Sequence, residues 1–254
     1  MTAIPKINHD LQIHMLKNSA NVSRLTPQSV SCQVCDSIGG CLAEQILCSH
    51  HQPDRSLRNN RSIKSGEHIF REGDVPNALF VVRSGSVKSY LISNDGEEQV
   101  LDFYLPGDVF GLDGTGEKGR MSSSITLETT TVCRMPLDEI DDSGISEKLL
   151  TLATRQLRRD HNLVLMLARK DADGRLGSFL CDLSHRYQTR GYSACSINLS
   201  MSRQDIGNYL GLAVETVSRT LTRFQEGGLI QVSRRAVEIL DLKSLQAIAG
   251  AQAS

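Results

Sequence analysis

The sequence predicts an α+β protein in three structural parts: a β-roll, one long helix and a winged helix-turn-helix. Three observations predict it. Residues 63–140 hold short β-rich segments punctuated by glycine, residues 146–170 run for 25 residues without Gly or Pro, and residues 200–228 hold two short helical patterns separated by Gly211.

The 254 residues suffice for two domains with their own cores, and 39% hydrophobic with 22% charged residues is ordinary for a globular protein. A formal charge of -1 neither announces nor excludes a nucleic-acid partner, because a local basic face can be offset by acidic residues elsewhere. No apolar run reaches the roughly 20 residues needed to span a bilayer, and the N-terminus MTAIPKINHDLQIHML lacks the apolar stretch of a signal peptide. These features predict a cytoplasmic protein with no membrane partner. In a reducing compartment its seven cysteines serve metals or redox chemistry more often than disulfides.

In chain order, residues 1–31 carry no sustained periodicity. Then Cys32, Cys35, Cys41 and Cys48 fall within 17 residues, with Gly39-Gly40 between them. This density points to a bound inorganic centre. A C-x2-C-x5-C run leaves one ligand to come from elsewhere, which suits an iron–sulfur cluster, whereas a structural zinc site usually pairs two short clips.

Turn signals in the next region recur at Ser65-Gly66, Glu72-Gly73-Asp74, Ser84-Gly85, Asn94-Asp95-Gly96 and Pro106-Gly107-Asp108, the spacing of a small roll. A metal enzyme on such a scaffold needs several histidines on facing strands. The region contains only His68, so catalysis is not expected. Cys133, in TTVCRMP, is either a buried thiol or the missing ligand.

Within residues 146–170, Leu150, Ala153, Leu157, Val164 and Leu167 recur at intervals alternating about three and four, the seam of a coiled coil. Asp160 fills one seam slot. A dimer brings two such carboxylates together; alternatively this is a core helix whose Asp160 turns outward or finds a partner. Arg158 and Arg159 point away from the seam by heptad position.

Residues 171–175 read as a polar hinge, and 176–187 as a further helix with Phe179, Leu180 and Leu183 inward. Cys181 and Cys195 are core or incidental residues. Ser202 is set to cap a helix from Arg203 to Leu210, which ends at Gly211, and a second helix runs from about Val214 to Gln225. Val214, Val217, Leu221 and Phe224 share one face of it. Glu215, Ser218, Arg219 and Thr222 share the other, where Arg can take guanine O6 and N7 together and Glu can accept from cytosine N4. Ala213 stands where a Ser or Thr cap is preferred, a local cost of about 1 kcal/mol. Two short apolar runs around Ser233-Arg234-Arg235 form a hairpin wing with a basic tip. From residue 172 onward nine Arg and Lys face seven Asp and Glu, so binding should need two half-sites and fall with salt.

This order of parts, with CQVCDSIGGC, LETTTVCRMPLDEI and MSRQDIGNYLGLAVETVSRTLTRFQ, resembles the cyclic-AMP receptor/fumarate and nitrate reduction regulator (FNR) superfamily over about residues 32–250. Within it the likeness is to the oxygen-sensing FNR group and the Pseudomonas anaerobic regulator of arginine deiminase. The resemblance implies a Cys-rich segment at 1–54, a cyclic-nucleotide-binding-like β-roll at 55–142, a dimerisation helix at 143–171 and a winged helix-turn-helix at 172–254. It implies a [4Fe–4S] cluster on Cys32, Cys35, Cys41 and Cys133, with Cys48 surplus. It carries an E-x-x-S-R element onto Glu215, Ser218 and Arg219, with Thr222 and Arg223 beside them, and half-sites similar to TTGAT. It places the family's seam aspartate on Asp160 and its neighbouring hydrophobe on Leu157.

The implied protein is a transcription regulator, not an enzyme. It is a homodimer when cluster-loaded, bound to palindromic double-stranded DNA, and it meets RNA polymerase through residues 94–99. The cyclic-nucleotide branch needs a Gly-Glu pair followed by Arg-Ser or Arg-Thr. Here Gly111 precedes Leu112 and the Arg position falls near Ser122-Ser123, with Arg120 the one cation close by, so nucleotide binding is not expected. A zinc- or thiol-based redox protein, using its helix pair for assembly, is the alternative.

Overall fold

The computed structural model describes residues 58–114, 118–137 and 143–250. The Cys-rich segment, with Cys32, Cys35, Cys41 and Cys48, lies outside the described residues. Strands β1 (Arg58–Ile63), β2 (His68–Phe70), β3 (Ala78–Ser84), β4 (Val87–Ile92), β5 (Glu98–Tyr104), β6 (Val109–Phe110), β7 (Ser123–Thr126) and β8 (Thr130–Pro136) form the roll. They pair antiparallel in two four-stranded sheets, ordered β1-β8-β3-β6 and β2-β7-β4-β5.

Alternation along the strands divides their side chains between two apolar layers. Phe70, Phe80, Val82, Val87, Tyr104, Phe110 and Val132 fill the roll, with Phe80 and Phe110 stacked at 5.5 Å and Tyr104 and Phe110 at 5.1 Å between centroids. Leu79, Val81, Val109 and Met135 face the other way. They pack against Leu152 of helix α1 (Ser143–Arg169), with Leu149 and Cys133 partly buried beside them.

Helix α1 turns Leu152 and Met166 into its own chain, while Leu150 (68% exposed), Leu157 (54%) and Val164 (62%) form an uncovered stripe seven residues apart. These are three of the five positions read from the periodicity; Leu167, another of them, packs against the core instead. The expected five-residue hinge is shorter than its polarity suggested: Asp171 caps helix α2 (Ala172–Gln188), its side chain accepting from the Gly174 backbone at 2.8 Å. Gly174 is helical despite its low propensity. A Cβ there would lie 3.1 Å from the capping Asp171 oxygen, and burial of Leu176, Phe179, Leu180 and Leu183 outweighs the propensity cost.

Helices α3 (Arg203–Leu210) and α4 (Val214–Glu226) follow the expected bounds closely. The wing has a third strand that sequence reasoning missed: β9 (Ser196–Asn198) pairs with β11 (Ala236–Ile239), which pairs with β10 (Ile230–Ser233). Helix α5 (Leu242–Ala249) closes the domain against α2.

One apolar core runs from the roll into the C-terminal domain. Val100, Phe103 and Leu105 of the β5 region join Leu176, Phe179, Leu180, Ile206, Val217 and Phe224. Phe103 meets Tyr209 edge-on at 5.2 Å. Among the described residues no helix is long and apolar enough to cross a membrane.

Candidate nucleic-acid interface and sensor site

The helix pair is fixed by local chemistry. Ser202 Oγ accepts from the Asp205 backbone at 3.0 Å while Asp205 accepts from the Ser202 backbone at 2.9 Å, a reciprocal box that satisfies two otherwise orphaned donors. Gly211 closes the helix at φ 61, and at mid-helix Gly207 a Cβ would sit 2.6 Å from the Leu212 carbonyl. Only glycine lets the turn fold back this tightly. Gly207 was a readable signal that sequence reasoning did not use.

Helix α4 starts at Ala213 with no side-chain cap and buries Val217, Thr220, Leu221 and Phe224. Glu215, Ser218, Arg219, Thr222 and Arg223 are all exposed, so the structure brings every residue of the expected reading set to one solvent face. Their readiness differs. Glu215 and Arg219 have no ion-pair or hydrogen-bond partner among the described residues. The hydroxyls of Ser218 and Thr222 donate to Val214 and Ser218 carbonyls one turn earlier, at 3.0 and 3.1 Å, and keep their lone pairs for a donor. Arg223 is engaged, its guanidinium bonded to Asp173 at the start of α2 and to Thr220 Oγ1 at 3.1 Å. A backbone-positioning role for Arg223 thus competes with an existing ion pair. At the wing, Arg234 takes a left-handed φ of 54 and stands exposed beside Arg235.

The domain presenting this face is held to the roll by buried polar contacts that no motif announced. Asp108, 1% exposed in the turn directly before β6, receives Arg186 of α2 and Arg190 just past its C-terminal end at 2.5 Å each and faces Arg159 of α1 at 3.6 Å. Burial alone would push its carboxyl pKa up, but the three guanidinium groups outweigh that and hold it below the usual carboxylate range. Arg159 also reaches the buried Asp102 at 3.3 Å, so it points away from the seam and leaves Asp160 unneutralised. Asp160 is exposed on the stripe and accepts from Gln156 at 3.0 Å. Farther along the interface Lys88 bridges Glu98 and Asp205 at 2.6 Å each. Asn208 bonds the Val100 N–H and the Glu98 carbonyl, occupying the open edge of β5 as a neighbouring strand would.

In the roll, Cys133 is half-buried on β8, in the layer where Leu79, Val81 and Met135 meet Leu149 and Leu152 of α1. Arg120 is not poised for a phosphate. It is 3% exposed, its guanidinium bonds the Gly111 and Ala78 carbonyls, and it lies 4.3 Å from the Phe70 ring centroid.

The sequence matches the Crp-like helix-turn-helix domain over residues 174–248 and the cyclic nucleotide-binding domain over residues 60–143. It is 41% identical over 235 residues to the transcriptional activator protein anr of Pseudomonas aeruginosa, covering 90% of this chain and 96% of that protein. The chain belongs to the Crp/FNR family. It is also 37% identical to the fumarate and nitrate reduction regulatory protein of Salmonella typhi, across 87% of this chain and 91% of the relative. Among solved structures, FixK2 from Bradyrhizobium japonicum superposes with a TM-score of 0.71 at 30% identity, over 77% of this chain and 98% of that one. As a Crp/FNR regulator the chain is a DNA-binding protein.

Proposed function

We propose that this Crp/FNR protein is an oxygen-responsive transcription regulator holding a [4Fe–4S] cluster on Cys32, Cys35, Cys41 and Cys133, and binding TTGAT-like half-sites as a dimer. The observation that carries this reading is the position of Cys133. Its side chain stands on a paired strand in the layer that meets the first turns of α1. Among the described residues no group of three His, Cys, Asp or Glu could hold a metal, so the further donors must come from elsewhere in the chain. A half-buried thiol shielded by Leu79, Val81 and Met135 suits a soft sulfur-ligated centre.

When bound, the cluster would supply an oxygen-labile cross-link between the C-x2-C-x5-C run and β8. Cys133 is placed to make that link felt by Leu149 and Leu152, and therefore by the stripe on the opposite flank of α1. Asp160 sets the threshold by opposing the pairing that Leu150, Leu157 and Val164 favour. Pairing places two α4 faces on successive major grooves of a palindromic operator. Residues 94–99, the β4–β5 turn and the start of β5, are anchored to the DNA-binding domain through Glu98 and Asn208 and form the surface we assign to RNA polymerase.

Single Cys→Ser variants prepared without air test the ligand set. Those at Cys32, Cys35, Cys41 and Cys133 should lose cluster absorbance, and those at Cys48, Cys181 and Cys195 should keep it. Retention by Cys133→Ser with loss by Cys48→Ser would replace the fourth ligand. Zinc in place of iron and acid-labile sulfide would favour the zinc- or thiol-based reading.

Base reading is separable from backbone contact by gel shift against single-base operator variants. Arg219→Ala or Glu215→Ala should cost about 1–3 kcal/mol and relax preference at one base pair. Arg234→Ala should weaken all sequences alike and lower the salt slope by roughly one. Arg223→Ala should change affinity less than Arg234→Ala, because Asp173 already holds that guanidinium. Uniform weakening by Arg219→Ala would remove it from the reading set.

A further inference from the structure

The last turn of α4 makes a charged contact with a different helix. Arg223 Nη2 donates to Asp173 Oδ1, in the first turn of α2, and to Thr220 Oγ1 at 3.1 Å. Thr220 is fully buried, and its hydroxyl lies 3.3 Å from the same Asp173 oxygen, so the three side chains close a ring. An isolated surface ion pair contributes little, because two long side chains must be held in one geometry. Here only Arg223 is long. Asp173 stands at a helix N-terminus, which favours a carboxylate, and burial fixes the Thr220 hydroxyl. The neighbouring carboxylate of Asp171 is already used, accepting from the Gly174 backbone as the cap of α2. The Arg223 side chain is nevertheless 60% exposed, and its Nε and Nη1 have no partner among the described residues. Pairing with Asp173 thus neutralises this guanidinium without using up its donors.

We propose that Asp173 limits the sequence-independent affinity of this protein for DNA by holding Arg223 in a neutral pair. Each cation that reaches the phosphate backbone gains affinity by releasing a condensed counterion, and a guanidinium already matched to a carboxylate releases none. Asp173 is then a positioning residue: it touches no base, and it acts on DNA only through Arg223. The inference rests on the reading of the α4 face as the surface that meets DNA.

The full chain, prepared without air, is titrated onto random-sequence and operator duplexes over a range of salt concentrations. Asp173→Asn should tighten binding to the random duplex about fivefold near physiological salt, and steepen the salt slope by about one per bound protomer. In an Arg223→Gln background the same substitution should change the affinity by less than about twofold and leave the slope as it was. Equal tightening in both backgrounds would show only the loss of a negative charge near DNA, and overturns the proposal. Unchanged or weaker binding by Asp173→Asn does so too, because the carboxylate would then be idle or aiming Arg223 at DNA. Circular dichroism checks the fold of each variant. Should Asp173→Asn not fold, Arg223→Gln alone decides: a loss of random-duplex affinity below about twofold supports the restraint, and a loss of about fivefold overturns it. Arg219→Ala, measured beside them, separates the two readings. If it leaves operator binding unchanged, α4 is not the DNA surface and both fall; if it weakens operator binding while Asp173→Asn has no effect, only the restraint falls.

Discussion

Asp160→Ala should hold the protein as a dimer in air and let it bind its operator there. Two carboxylates about 6 Å apart across a helix seam repel by roughly 2–4 kcal/mol at an effective dielectric near 20, before any loss of hydration. Covering an aliphatic side chain such as Leu157 or Val164 contributes about 1.5–3 kcal/mol, so one aspartate pair can cancel one layer of packing. The structure removes the simplest escape from this conflict. Arg159, one residue away, is turned to Asp102 and Asp108, and among the described residues the Asp160 carboxylate accepts from uncharged Gln156 alone. Sedimentation under air, with and without operator DNA, reads the result. A variant as monomeric in air as its parent would place the control of pairing elsewhere.

Asp108→Asn should undock the DNA-binding domain from the roll. The substitution keeps the side chain's shape but leaves Arg186, Arg190 and Arg159 without the carboxylate they share. Removing one partner of a buried ion pair costs about 3–5 kcal/mol, and the Asp108 side chain is 2% exposed. Urea denaturation should show a lower midpoint or a second transition, and limited proteolysis should cut near the loop before β9. Acidity offers an independent check. The Asp108 pKa is held below its ordinary value, so its contribution is complete above the usual carboxylate range and is lost as pH falls through the lowered value. Asp102 has the opposite sign: burial pushes its pKa up, so protonating it relieves strain as pH falls. Subtracting the pH profile of Asp108→Asn from that of the parent isolates the Asp108 share. Coincident profiles would show that the three arginines do not depend on it.

The readable part of this protein was the part encoded by short-range patterns. Turn residues at Gly66, Gly73, Gly85, Gly96 and Gly107 marked the roll, and all five take positive φ. Ser202, Gly211 and the apolar face of α4 marked the helix pair to the residue at most ends, because caps and 3.6-residue periodicity act within a turn or two of chain. The exposed apolar stripe on α1 was readable for the same reason. The hinge was misjudged because polarity at Asp171 and Asp173 reads as loop, whereas Asp171 is a cap and packing against α5 carries the helix through Gly174 and Gly177. Strand β9 was missed because three residues carry too little periodicity.

By itself the sequence determined the order of the parts, the polar face of α4, the C-x2-C-x5-C run and the place of Asp160 among the exposed apolar residues of α1. Tertiary structure alone decided which charges meet. Nothing local couples Asp108 to Arg186 and Arg190, Lys88 to Asp205, or Asn208 to the edge of β5, since each pair spans about 80 to 117 residues. Nor did local sequence show that Arg223 is held by Asp173, or that Cys133 stands beside Leu149 and Leu152. Buried polar partners are chosen by whichever backbone brings a donor within about 3 Å of an acceptor in a low-dielectric interior. That choice leaves no periodic trace along the chain.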